Sequence, residues 1–379
     1  MINIINKIIV LILIGFFVYS NSYSIETKAN SAFVIDADSS AILFNKNGDM
    51  KQGPASMSKL MLIYMVFEKL QNGSLNLNDQ FLVSKKAWKF GGSKMFVNLG
   101  DKVSIDDLLK GVVVQSGNDA CIVLAEGLSG TEEDMVIEMN EKSLELGLTN
   151  SNFINVTGWP HNDHYMSLRD IAILSQRIIK DFPEYYYYFS MYEFTYNDIQ
   201  QFNRNKLVKI DGYDGLKTGR TNQSGFGLAA SALKNNRRII SVVNGLNSSK
   251  ERTVETKKFV NWAIRDFVNY DLYKAGETID NAKVWLGKKS FVKLVTKEDL
   301  IVTVNKKNLD KFKIQLVYDS PIISPIKKGD KLAELIISEN NVTRVLNLYA
   351  QEDIQKVSRF YRSFSILNYL LFGVSNRNQ

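Results

Sequence analysis

Residues 54–70 read PASMSKLMLIYMVFEKL, and this stretch decides the fold. From Met57 onward, apolar side chains fall on nearly every side of a 3.6-residue repeat, which predicts a helix buried all round. Lys59 stands three residues after Ser56, so the two share a face one turn apart. An ammonium in an apolar helix is costly, so its pKa should fall, and a neutral lysine is a base. Ser56, at the start of the helix, has free backbone N–H groups beside it that suit an oxyanion. A plainer reading fits equally well: Ser56 as an N-cap and Lys59 snorkelling to solvent. Ser231 and Lys234 repeat the Ser-x-x-Lys spacing, so the spacing alone is not specific.

Outward from this helix, short apolar runs at 32–36 and 40–45 flank the turn Asp36-Ala37-Asp38-Ser39 and predict a hairpin. A long helical region extends from about 56 to 180. Strand character returns at 216–218, 226–232 and 239–244, separated by the turn sequences Asn222-Gln-Ser-Gly and Lys234-Asn-Asn-Arg, which predicts an antiparallel meander. Residues 249–275, with Val254, Phe259, Trp262, Ile264, Phe267 and Val268, predict an amphipathic helix covering that sheet. The order describes an α+β fold whose sheet is split in sequence by a helical insert. After Gly276 the texture changes to short alternating runs at 284–286, 290–295, 300–304, 313–318, 332–337 and 342–349. These predict a separate small all-β domain, with the boundary near 275–277.

The chain has 379 residues, one cysteine, two histidines and a formal net charge of +7. The positive excess is too diffuse to imply nucleic acid and suits an anionic lipid or wall polymer. A single cysteine, Cys121, excludes an internal disulfide and an all-cysteine metal site. His161 and His164 alone exclude a multi-histidine zinc site, and with no third ligand evident their expected role is structural. No metal or cofactor is expected, and hydrolytic chemistry would run on Ser, Lys and carboxylates. Residues 1–24, MINIINKIIVLILIGFFVYSNSYS, place Lys7 before a short apolar run and a small-x-small site, which predicts a cleaved secretory leader. At the other end, 357–373 reads VSRFYRSFSILNYLLFG, with Val357, Phe360, Tyr361, Phe364, Leu367 and Leu371 on one helical side and Arg359 and Arg362 on the other. That pattern predicts an amphipathic helix lying in a membrane interface.

Two further elements carry chemistry. Ser116-Gly117-Asn118 ends the apolar run 111–114, and its hydroxyl and carboxamide can relay a proton and hold a substrate amide. Lys217-Thr218-Gly219 lies on a predicted strand. There Lys217 would attract a carboxylate, Thr218 hydrogen-bond it, and Gly219 clear space for a substrate along the strand. Ser-x-x-Lys, Ser-x-Asn and Lys-Thr-Gly in this order form the signature set of penicillin-binding proteins and serine β-lactamases. The sequence resembles the low-molecular-mass D-alanyl-D-alanine carboxypeptidases in particular. The resemblance is carried by PASMSKLM, GGSKMFVNLG, VQSGNDACIVLAEGLSG, FTYNDIQQFNRN, YDGLKTGRTNQSGFGLAASA and SPIKKGDKLAEL.

The resemblance implies a DD-peptidase/β-lactamase-like catalytic domain over 25–275, a C-terminal β domain over 276–350 and an anchor helix over 351–379. It implies that Ser56 attacks the penultimate D-alanine carbonyl of a peptidoglycan stem pentapeptide, giving an acyl-enzyme, and that β-lactams inhibit covalently. Lys59 would take the proton of Ser56, Ser116 would pass it to the departing D-alanine, and Asn118 would orient Lys59 and the substrate amide. Lys217 and Thr218 would hold the terminal carboxylate, and the backbone N–H groups of Ser56 and Arg220 would form the oxyanion hole. Several relatives carry histidine where this chain has Arg220, so a pH profile without a histidine limb is expected. The enzyme would act in the periplasm, on the outer face of the cytoplasmic membrane.

Three alternatives remain at this point. A class A-like β-lactamase needs a deacylating glutamate in an E-x-x-L-N context, and Glu145-Leu-Gly-Leu-Thr149 lacks the asparagine. A DD-endopeptidase would use the same residues. A non-catalytic penicillin-sensing or wall-binding module would not need Lys59 and Ser116 kept beside Ser56.

Overall fold

The computed structural model describes residues 25–339 and 342–358, together with Tyr361, Ser363 and Leu367. The expected leader lies outside the described residues, as does most of the expected terminal helix; Tyr361, Ser363 and Leu367 are helical and exposed. Among the described residues, no helix is long and apolar enough to cross a membrane.

Five strands make the central antiparallel sheet: Ser31–Asp36 (β1), Ile42–Lys46 (β2), Tyr213–Thr221 (β3), Gly225–Lys234 (β4) and Arg237–Leu246 (β5). Their spatial order is β2-β1-β5-β4-β3, so the N-terminal hairpin completes a sheet begun by the late meander. β1 faces β5 from Ser31 opposite Asn244 to Asp36 opposite Ile239. The turn between β4 and β5 uses Asn235 and Asn236 at φ 52° and 57°, the left-handed pair that matches strand twist. The split sheet expected from sequence is therefore present.

The insert supplies helices Lys59–Gln71 (α1), Asn118–Ser129 (α2), Glu132–Glu145 (α3) and Leu168–Asp181 (α4). α1 is buried along nearly its whole length and is the axis around which the largest core cluster assembles. Helical structure is not continuous from 56 to 180. Gln80–Leu82 pairs with Lys102–Ser104, and residues 150–166 form an irregular loop whose neck is the antiparallel bridge of Asn152 and Tyr165. Helix Ser249–Asp266 (α5) covers the other face of the sheet through Phe259, Val260 and Ala263.

α5 stops at Asp266, not at 275 as its apolar spacing predicted. Phe267–Tyr273 (β6) is a strand paired antiparallel with Leu300–Asn305. Aromatic and β-branched residues fit either pattern there, and pairing with a partner strand decides. The C-terminal unit thus begins at Phe267, and we place the division between units after Asp266. Six further strands form one sheet over a core of Ala282, Val292, Leu294, Leu335 and Leu348. A polar lock joins the two units. Buried Asp36 accepts from Arg237 Nη2 (2.7 Å) and Asn269 Nδ2 (3.0 Å), and Arg237 Nη1 donates to Phe267 O (2.8 Å).

Candidate active site

Ser56 sits in a 3-10 turn, Ala55–Ser58, that runs straight into α1 at Lys59. The turn has a severe shape, because Ala55 is held at φ +50°, a region costly for a residue with a Cβ. Its carbonyl accepts from Ser58 Oγ at 3.0 Å and lies against Gly158. Gly158 itself has φ +77°, and a Cβ there would fall 2.1 Å from Ala55 O. Two irregular backbone stretches are thus pressed together directly behind the serine.

Lys59 is fully buried, so the snorkelling alternative is excluded, and Ser56 makes no side-chain cap. Lys59 Nζ contacts Ser56 Oγ at 2.8 Å, Asn118 Oδ1 at 2.8 Å and Thr157 O at 2.5 Å. Burial pulls its pKa down to about 8. A neutral amine has two hydrogens and one lone pair. Thr157 O is a carbonyl and can only accept. Asn118 donates its Nδ2 to Gly91 O at 2.9 Å, which turns Oδ1 toward the lysine. Both hydrogens of neutral Lys59 are therefore committed, and the lone pair is left for the hydroxyl hydrogen of Ser56. That is the geometry of a general base on its nucleophile.

The second motif follows from a tight π-turn over Gly111–Gln115 that ends with Ser116 at φ 65°. This left-handed residue swings the chain so that Asn118 opens α2 while Ser116 stays buried. Ser116 Oγ has no hydrogen-bond partner among the described residues. Asp119 anchors the neighbouring strap by accepting from the backbone N–H groups of Met95 and Phe96, both at 2.9 Å.

β3 brings the third motif against the serine turn. A Cβ on Gly219 would meet Pro54 O at 2.8 Å and Ala55 Cβ at 3.2 Å. The space expected there for substrate is filled by the protein, so Gly219 serves the approach of β3 to Ser56. Lys217 and Thr218 are buried. Lys217 Nζ makes a long hydrogen bond to Thr218 O at 3.4 Å, and burial together with the charge of Lys59 pushes its pKa well down. The Arg220 side chain is exposed, with its guanidinium 4.8 Å from the Phe226 ring centroid.

Sequence reasoning missed three contributors. Thr157 acts through a backbone carbonyl, which no residue type marks. Arg252, on α5, is buried, with Nη1 donating to Gly227 O (3.4 Å) and Nη2 to Arg204 O (3.1 Å), while Nε is unpartnered among the described residues. Burial and the charge of Arg204 lower its pKa to about 10. Lys217, Arg204 and Arg252 thus lie within one another's fields, a concentration of positive charge suited to a carboxylate. An arginine on an amphipathic helix normally reads as solvent-facing; its only signal was its place on the sheet-covering side.

The remaining sequence candidates fall elsewhere. Glu145 is exposed and paired with Lys142 at 2.6 Å. Ser231 accepts from Arg238, and Lys234 lies over the Tyr213 ring. Cys121 is buried, its thiol pushed up to about 12 by burial. Among the described residues no cluster of three or more His, Cys, Asp or Glu could hold a metal.

Comparison with known proteins adds the family. Residues 18–248 match the family described as D-alanyl-D-alanine carboxypeptidase, and residues 267–356 match the penicillin-binding protein 5 C-terminal domain. D-alanyl-D-alanine carboxypeptidase DacF of Bacillus subtilis is 35% identical over 341 residues, covering 87% of this chain and 86% of the relative. The crystal structure of penicillin binding protein 5 from Haemophilus influenzae superposes with a TM-score of 0.84 at 36% identity, covering 88% of this chain and 99% of that one. Penicillin-binding protein D2 of Listeria monocytogenes, solved in an ampicillin-bound form, matches with a TM-score of 0.58 at 26% identity, covering 63% of this chain and 98% of that one.

Proposed function

From the premise that this chain belongs to the D-alanyl-D-alanine carboxypeptidase family and is a serine-type D-Ala-D-Ala carboxypeptidase, we propose how its residues divide the reaction. Ser56 attacks the penultimate D-alanine carbonyl of a stem pentapeptide while Lys59 takes its proton. The observation that carries this reading is the triple contact of Lys59, which leaves one lone pair for Ser56. The carbonyl oxygen gathers negative charge between the backbone N–H groups of Ser56 and Arg220, which β3 holds beside the serine turn. Ser116, whose hydroxyl has no partner among the described residues, passes the proton taken by Lys59 on to the leaving D-alanine amine. Water then cleaves the acyl-enzyme and the tetrapeptide leaves.

Lys217, Thr218 and Arg252 hold the terminal carboxylate, and Asn118 the substrate amide. For Arg252→Ala, KM should rise about tenfold for a peptide with a free C-terminus, as expected for one lost charge-assisted bond. Steady-state kinetics with the matching C-terminal amide should show no such difference. An equal loss on both peptides would assign Arg252 to packing alone.

β-lactams enter the same cleft as covalent inhibitors. The surface position of Glu145 supports a long-lived penicilloyl-enzyme rather than turnover. The decisive experiment is mass spectrometry of a stem pentapeptide ending in D-Ala-D-Ala, with a parallel search for the penicilloyl adduct. Loss of one alanine and an adduct on the Ser56 peptide are expected. An unchanged pentapeptide with Ser56 still labelled would point to crosslinked substrates or a sensor.

The chain is read as exported by residues 1–24 and held at the outer face of the cytoplasmic membrane by the amphipathic segment after Val357. Deleting 357–379 should give a soluble enzyme of unchanged kcat/KM. A truncated protein that still sediments with membranes would refute the anchor.

A further inference from the structure

The loop that carries Thr157 has no regular structure, so its backbone must be held by other means. Asn152 and Tyr165 close its neck through two backbone bonds of 2.8 and 3.1 Å. Inside, Phe153 N–H donates to Asn140 Oδ1 at 2.9 Å, and Val156 N–H donates to Glu132 Oε1 at 3.2 Å. Thr157 and Trp159 N–H groups donate to Asn155 Oδ1 at 3.1 and 2.9 Å. Ile154 N–H is the one that crosses the loop's interior, donating to His164 Nδ1 at 3.1 Å. His164 is only 3% exposed, and its ring stands edge-on to Phe153 at 5.9 Å.

The bond fixes the protonation of the ring. Nδ1 accepts, so the single hydrogen of the neutral imidazole resides on Nε2. A second proton would place a donor against a donor at Ile154. Nε2 is buried and has no hydrogen-bond partner among the described residues.

We propose that His164 is a positioning residue for the general base: it braces the loop from within and thereby aims the Thr157 carbonyl at Lys59. The proposal rests on the reading of Lys59 as the base. Thr157 O holds one of the two hydrogens of the neutral amine, so a displaced carbonyl frees Lys59 to turn its lone pair away from Ser56. The same loop presses Gly158 under Ala55 and so fixes the serine turn as well. A loosened loop admits water to Lys59, and burial is the leading cause of its low pKa. The charged or titratable groups felt at Lys59 are Lys217, Arg204, Asp119 and Cys121; those felt at His164 are His161 and Lys59.

The test compares His164→Met, which fills the space without an acceptor, with His164→Asn, whose Oδ1 is bonded to Cγ as Nδ1 is and so offers an acceptor to Ile154 N–H. The readout is the second-order rate of penicillin acylation across pH, normalised to sites that become labelled, so that unfolded protein is not counted. His164→Met should acylate about tenfold more slowly, with its acid limb moved to higher pH, whereas His164→Asn should stay within about threefold of the parent. Where His164→Met fails to fold, His164→Leu, which is shorter and likewise lacks an acceptor, takes its place. A wild-type rate per labelled site, or a slower rate with an unmoved limb, overturns the proposal. Lys59→Met is measured alongside: if it acylates at the parental rate, the base reading fails, and if it alone is slow, only the role of His164 fails.

Discussion

Lys59→Met should acylate with penicillin, and release D-alanine, about 10³-fold or more slowly than the parent, with little change in folding. The methionine is apolar, of similar length, and suits a site that already excludes water, so the penalty falls on chemistry rather than on packing. What is lost is the one proton acceptor in contact with Ser56 Oγ among the described residues. The pH dependence of the parent supplies an independent check. Only the neutral amine can take the proton, and burial places its pKa at about 8, so kcat/KM should fall as pH drops through that region. His164 contributes no limb near neutrality, because burial lowers it to about 4. A parental acylation rate in Lys59→Met would assign the proton transfer to another group.

Gly158→Ala, a single added methyl, should cost about 10²-fold in acylation rate. Two penalties coincide. Alanine is strained at φ +77°, and its Cβ would stand 2.1 Å from Ala55 O, inside any allowed contact. Backbone faces backbone, so no side chain can rotate to relieve the clash. Either Ala55 moves and takes Ser56 with it, or Thr157 moves and takes its carbonyl from Lys59. Displacements of about 1 Å suffice for the predicted loss. Stopped-flow acylation with circular dichroism on the same sample separates this from unfolding. A folded variant with the parental rate would show that the two segments part without disturbing the catalytic pair.

The catalytic side chains were legible because their chemistry needs particular residue types at particular spacings. Ser56, Lys59 and Asn118, from the first two motifs, are in hydrogen-bond contact. What stayed hidden acts through backbone or through tertiary placement. Thr157 contributes a carbonyl that any residue would carry. Gly158 and Ala55 are paired only by the fold. Gly219 was expected to make room for substrate, whereas the room belongs to Pro54 and Ala55. The misplaced end of α5 has the same origin, since Phe267 and Val268 continue a helical apolar stripe until strand pairing outcompetes it.

The wiring of the central sheet also governs how the chain acquires its shape. β1 lies between β2 and β5, and its register joins Ser31 to Asn244. The hairpin of β1 and β2, the first to leave the ribosome, thus has no further strand to join until β5 has been made. Contacts so distant in sequence form slowly, because a long loop must close before they contribute. Until then the hairpin offers one open edge, and the α1 core lacks the sheet against which it packs. A polypeptide arranged in this way cannot complete its central sheet until most of its synthesis is over.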